Sequence, residues 1–228
     1  MRRYQFLFGF IFFVLAAGCS DGDELLDNFT KDGPIVYAGR IDSLKIQSGY
    51  YRVKVNIFPS EDVNRSFCIL QWNKSDGLKD SVRIDYADKN FDQASGCYFT
   101  YIDLDSIEGN LLIESQNIDI FGNRSLILGQ GAFVYGKNYT STLLNSKVNF
   151  NSNGEQITFV NRLRAIGNWV SYEKNDGSFT PDSLVTEGSF SLVDPMQGGI
   201  VRTKTLYLID ESDIDTLVTN NFLETPIP

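Results

Sequence analysis

A chain of 228 residues that is 42% hydrophobic has room for one large or two small domains, and 13% aromatic residues with only seven alanines favour strands over helices, because aromatic and β-branched side chains fit a half-buried pleated surface. A net charge of −9 with no basic run excludes nucleic acid as a partner and opposes adsorption to an anionic membrane surface. The chain has no histidine, which excludes Ser-His-Asp and Cys-His catalysis and His-ligated zinc within it, and its three cysteines, Cys19, Cys68 and Cys97, lack the Cys-x-x-Cys spacing of a thiolate metal site.

Residues 1–18 read as an export signal. Arg2 and Arg3 form a positive start, Phe6 to Leu15 an apolar run of ten residues, and Ala16-Ala17-Gly18 the small residues a peptidase requires before its cut. That run is too short for a membrane-spanning helix, which needs about twenty residues. A cysteine after Leu15-Ala16-Ala17-Gly18 resembles a bacterial lipobox, with one departure: the leucine stands four residues before Cys19, and Ala16 stands three before. The resemblance implies removal of residues 1–18, acylation of the Cys19 thiol and of the new amine, and a membrane anchor. Each buried methylene contributes about 0.8 kcal/mol, so several acyl chains hold where one would not. The alternative is a plain cleaved signal with an incidental cysteine. Cleavage before Cys19 leaves 18 basic and 29 acidic residues, a net charge of −11. Ser20, Asp21, Asp23 and Glu24 resemble the acidic export signal of Bacteroidetes surface lipoproteins. This implies an outer-membrane location with the protein facing the cell exterior; a solvated tether accounts for the same residues.

Residues 19–33 contain few order-promoting side chains and are expected to form a flexible tether. From Ile35 the pattern takes period two. In "YYRVKVNIF", Tyr51, Val53, Val55 and Ile57 share one face, and Arg52, Lys54 and Asn56 the other. "FCILQW" alternates Cys68, Leu70 and Trp72 against Phe67, Ile69 and Gln71, and "SVRIDY" aligns Val82, Ile84 and Tyr86. "CYFTYIDL", "NLLIESQNIDIF" and "SLILGQGAFVYG" complete a first set of strands. The second set comprises "SKVNF", "QITFV", "AIGNWVSYE", "GSFSLV", "VRTKTLYLI" and "DTLV", with turn signals at Asn153-Gly154, Asp176-Gly177, Asp194-Pro195 and Gly198-Gly199. No long stretch has helical period. The expectation is an all-β protein of two tandem antiparallel sandwiches, over 34–133 and 134–225.

"YAGRIDSLKIQSGYYRVKV", "LQWN…DSVRI", "IDIFGNRS", "VYGKNYTSTLLN" and "TLYLIDESDIDTL" together resemble a Bacteroidetes lipoprotein domain family of unknown function, over about 34–225. The resemblance implies company with glycan-uptake systems of the starch-utilisation type. Within it, the first half resembles a fibronectin type III or immunoglobulin-like module. Trp72 stands for an early inner-strand tryptophan, and Asp119 to Ser125 for the turn between the last two strands. The second half matches less well, since "EQITFV" has no tryptophan counterpart.

Cys68 and Cys97 lie in two predicted strands of an exported chain, so a disulfide between them and a pair of buried free thiols are both open. Five sites read Asp-Ser/Thr-aliphatic, with hydroxyls at Ser43, Ser81, Ser106, Ser183 and Thr216. They resemble the O-glycosylation acceptor of Bacteroidetes; a turn closed by Asp and Ser before a strand produces the same pattern. The acidic run Asp210 to Asp215 lacks the spaced ligands and central glycine of a calcium loop, so a solvated turn is expected. No carboxylate pair stands out for glycoside hydrolysis. Tyr50, Tyr98, Tyr101, Trp169 and Tyr172 are candidates for stacking on sugar rings or, equally, for packing. No catalytic residue, metal or cofactor is expected. The reading is a lipid-anchored, non-catalytic accessory in glycan capture or surface interaction, with carbohydrate or a surface protein complex as partner. The alternative is a structural spacer or assembly subunit without a ligand.

Overall fold

The alternation read from the sequence becomes paired sheets. The computed structural model describes residues 36–228, apart from 106 and 161. The signal over 1–18, Cys19, the tether with Ser20, Asp21, Asp23 and Glu24, and Ser106 lie outside the described residues. Ala38–Pro228 group as one compact unit.

Its first half runs β1 (Ser43–Ser48), β2 (Arg52–Phe58), β3 (Arg65–Asn73), β4 (Lys79–Asp85), a 3-10 turn (Asp88–Asn90), β5 (Phe91–Asp92), β6 (Cys97–Asp103), β7 (Gly109–Asp119) and β8 (Leu128–Val134). Two sheets form, in the orders β1-β2-β6-β5 and β4-β3-β7-β8, with every ladder antiparallel. Val53, Val55 and Ile57 of β2 pack against Cys68, Leu70 and Trp72 of β3 in one core. Period-two burial is what two facing sheets require. Tyr51 departs from its expected face: it precedes β2 with φ +52°, and its hydroxyl accepts the Lys137 N–H at 2.9 Å.

The turn from β7 to β8 is built by Asp119. Its carboxylate accepts the N–H groups of Phe121 (2.9 Å) and Asn123 (2.8 Å) and the Asn123 side-chain amide (2.8 Å). Burial acts to raise this carboxyl, and the donors from Asn123, Phe121 and Gly122 outweigh it, holding it below the usual carboxylate value.

The second half contains α1 (Lys137–Ser141), β9 (Lys147–Phe150), β10 (Gln156–Val160), β11 (Ala165–Tyr172), β12 (Ser183–Val185), β13 (Ser189–Ser191), β14 (Ile200–Tyr207), β15 (Leu217–Val218) and β16 (Leu223–Pro226). The sheet orders are β13-β10-β9 and β12-β11-β14-β15, with β16 also paired to β14. Val148, Ile157, Val170, Tyr172 and Val201 share a second core. Helix α1 and strand β16 were not expected from the sequence, whereas β12 begins at Ser183, where the Asp-Ser-aliphatic pattern was open to a turn followed by a strand. The N–H groups that open α1 are taken by Glu108, at 3.0 Å from Asn138 N and by a second bond from Tyr139 N. Gly136 is required there, because a Cβ would stand 2.7 Å from both the Glu108 carboxylate and the Tyr51 ring.

Candidate functional site

Between the two cores lies a third, aromatic cluster of Tyr135, Tyr207 and Leu217, flanked by Phe133 and Tyr139. The acidic run Asp210 to Asp215 closes over it as a strap rather than the solvated turn its composition suggests. Ile214 N donates to Ser48 O at 2.9 Å, and the Gln47 amide donates to Ser212 O at 2.8 Å. Asp215 accepts the Tyr50 N–H at 2.9 Å and, one on each carboxylate oxygen, the Nε and Nη2 groups of Arg52. The Tyr135 hydroxyl and the Asp210 N–H both donate to Asp213 Oδ2, at 3.0 and 2.9 Å. The strap fits because residue 49 is glycine: a Cβ there would meet Asp215 Oδ2 at 2.6 Å and Ile214 Cγ1 at 2.7 Å.

Charges in the strap follow from these contacts. The Arg52 guanidinium holds Asp215 below the usual carboxylate value against the opposing effect of burial, and Asp215 raises Arg52 in return. Burial raises Asp213 despite its two donors. Burial, and then the neighbouring Asp213 carboxylate, raise the Tyr135 phenol. Both Asp213 and Asp215 are thus committed to protein donors, and among the described residues no group of three or more acidic or cysteine side chains is placed to hold a metal ion.

A cavity of about 720 Å³ opens beside the strap, lined by Tyr50, Arg52, Lys137, Lys204, Thr216 and Asn220, among others. Tyr50 is 43% exposed, and its ring is braced edge-on by Tyr51 at 4.8 Å. The Asn220 amide oxygen accepts the Thr140 hydroxyl at 2.9 Å, fixing that wall to α1. Lys204 Nζ stands 4.5 Å from the centre of the Phe222 ring. Arg52 is paired with Asp215; among the described residues Lys137 and Lys204 have no ion-pair partner. The cavity therefore offers ammonium groups, hydroxyls and one aromatic ring.

The residues singled out in the sequence are dispersed. Of the five aromatic candidates, Tyr50 lines the cavity, Tyr98 and Tyr172 are core, Tyr101 is exposed elsewhere, and Trp169 is half-buried on β11. Cys68 on β3 and Cys97 on β6 lie in different sheets, and both thiols are free and buried. Burial pushes Cys68 up to about 12. Ser43 opens β1 and is exposed, Ser81 is exposed within β4, Ser183 opens β12 half-buried, and Thr216 is exposed at the cavity wall. Arg52, Lys137 and Lys204 escaped sequence reasoning, because each sits in a segment where a lone cation reads as solvated surface.

Sheets and cavity together define an all-β protein of several antiparallel sheets. The chain belongs to DUF4998, a family described as a domain of unknown function, whose model matches residues 19–217. No curated protein matches it. Among solved structures it is similar to the FN1–FN3 domains of chicken CNTN1, at TM-score 0.37 and 10% identity over 85% of this chain and 69% of that one. It is also similar to a two-domain fibronectin type III segment of chicken tenascin, at TM-score 0.35 and 11% identity over 81% of this chain and 99% of that one.

Proposed function

We propose that this protein is a lipid-anchored, outward-facing surface protein that captures glycans without transforming them. The observation that carries the reading is the open cavity beside the strap, where the exposed Tyr50 ring meets unbonded hydroxyl and ammonium groups. Sugars are bound by such mixtures: a ring face for the C–H side and fixed polar groups for the hydroxyls. The lipobox resemblance at Cys19 and the acidic residues behind it support the address. A glycan array probed with the full mature chain in detergent tests this. Binding to at least one glycan class, lost in Tyr50→Ala, is expected; silence across host and plant polysaccharides defeats it. The address is tested separately, since Cys19→Ala releases a truly lipid-anchored protein from the membrane fraction. Intact mass then shows whether the exposed hydroxyls of Ser43, Ser81 and Thr216 carry sugar.

A second reading, a structural spacer without a ligand, is favoured by the strap itself. Fixing Gly49, Tyr50 and Arg52 to Ile214 and Asp215 stiffens the junction, and stiffness is what a spacer requires. A silent array with the strap intact supports that reading.

A further inference from the structure

We infer that the cavity beside the strap takes an anionic saccharide, a short chain with a carboxylate or sulfate on its bound residue. The inference rests on the capture reading above and adds the class of sugar. Three cations line the cavity, Arg52, Lys137 and Lys204, against one carboxylate, Asp215. That carboxylate is consumed by Arg52 and the Tyr50 N–H. The two lysines come from elements distant in sequence, α1 and β14, and neither has an acidic partner among the described residues. In a chain of net charge −9, two ammonium groups without an ion pair beside an Arg52 that is already paired give this cavity a local excess of positive charge.

Two further properties narrow the ligand. About 720 Å³ lies in the range of sites for small organic molecules, roughly 300–1,000 Å³, and far exceeds what a bare sulfate ion fills. The hydroxyls of Tyr50 and Thr216 have no hydrogen-bond partner among the described residues and complete a wall suited to sugar hydroxyls. The overall negative charge repels a long polyanion. The cavity therefore selects a short acidic chain, or the acidic end of a longer one, over an extended polyelectrolyte.

The test is calorimetric titration of the full mature chain in detergent with matched trisaccharide pairs, each acidic member (galacturonate, glucuronate, sulfated, sialylated) beside its neutral parent, and with sodium sulfate alone. At least one acidic trisaccharide is expected to bind tenfold or more tighter than its parent. Lys137→Ala and Lys204→Gln should each weaken the acidic member about tenfold and its neutral parent far less, so that the preference for acid collapses, and Lys137→Glu should abolish binding of the acidic member. Neutral and acidic members binding equally, with the lysine variants silent, overturns the anionic class and leaves glycan capture standing. Sulfate binding as tightly as the best sugar overturns the saccharide. Binding of no sugar at all, by a chain with native circular dichroism, overturns both readings. A glycan carried covalently on Thr216 in the native protein would occupy the cavity and overturn the inference as well.

Discussion

Asn117 shows how one residue ties together the first half of the chain's fold. It is 1% exposed, and every polar group it has is used. Its amide nitrogen donates to Gly39 O at 2.8 Å, its side-chain oxygen accepts the Tyr86 hydroxyl at 2.5 Å, its N–H donates to Ser125 Oγ at 2.9 Å, and its carbonyl accepts Ser125 N at 2.9 Å. Tyr86→Phe keeps the ring and leaves the amide oxygen buried without a donor. Such a loss costs about 1–3 kcal/mol, so the urea midpoint should fall while the slope stays unchanged. The thiols make a second prediction at this scale. Cys68 is buried and its thiol is pushed up to about 12, so almost no thiolate exists at neutral pH. Cys68 and Cys97 should resist a thiol reagent in the native protein and both react once it is denatured. A denatured, unreduced sample in which neither thiol reacts would reveal a disulfide instead.

Among the elements, the strap places two carboxylates of opposite behaviour two residues apart. Asp213 is held above its ordinary value of 3.8 by burial. Between that value and the higher folded one the native state binds more protons than the unfolded chain, so stability falls as pH rises through the window. Asp215 is held below 3.8, chiefly by Arg52. Its contribution is complete above the unfolded value and is lost as pH falls through the lower folded one. Asp213→Asn, which keeps the acceptor for Tyr135 and Asp210, should raise stability at pH 7, with the gain vanishing in acid. Asp215→Asn should lower stability at pH 7, and its deficit should close only at still lower pH; urea titrations across the acid range read both. This strap also marks where sequence reading stops. The faces of β2 and β3 were legible because a sandwich core imposes period two on Val53, Val55 and Ile57 and on Cys68, Leu70 and Trp72. The run Asp210 to Asp215 read as solvated because nothing local reveals Arg52 as its partner, 163 positions away. Helix α1 was equally hidden, since five residues have no detectable period and the acid that caps them, Glu108, comes from another loop. Of the cavity, Tyr50 and the Asp215-Thr216 pair were noticed, but the cations that give it its charge were not, because they converge only in the fold.

At the scale of the whole molecule, the described residues form two hydrophobic cores and an aromatic cluster that draws on both halves, and the cooperativity of unfolding depends on whether that junction couples them. Gly49 is the point to test. Its substitution by alanine drives a methyl against Asp215 and Ile214, which are themselves held by Arg52 and Ser48, so the strap must lift. Overpacking of this kind costs about 1–3 kcal/mol, and the loss falls on the junction rather than on either core. With the strap closed, both halves should unfold in one calorimetric transition, with calorimetric and van't Hoff enthalpies equal. In Gly49→Ala the transition should broaden or split, the van't Hoff value dropping below the calorimetric one. Hydrogen exchange should speed up at residues 47–52 and 210–217 while β3 and β11 keep their protection. A single sharp transition at a lower midpoint would mean that the aromatic cluster of Tyr135 and Tyr207 couples the halves by itself. The strap would then serve chiefly to form the wall of the cavity, and the Gly49 variant should lose glycan binding without losing cooperativity.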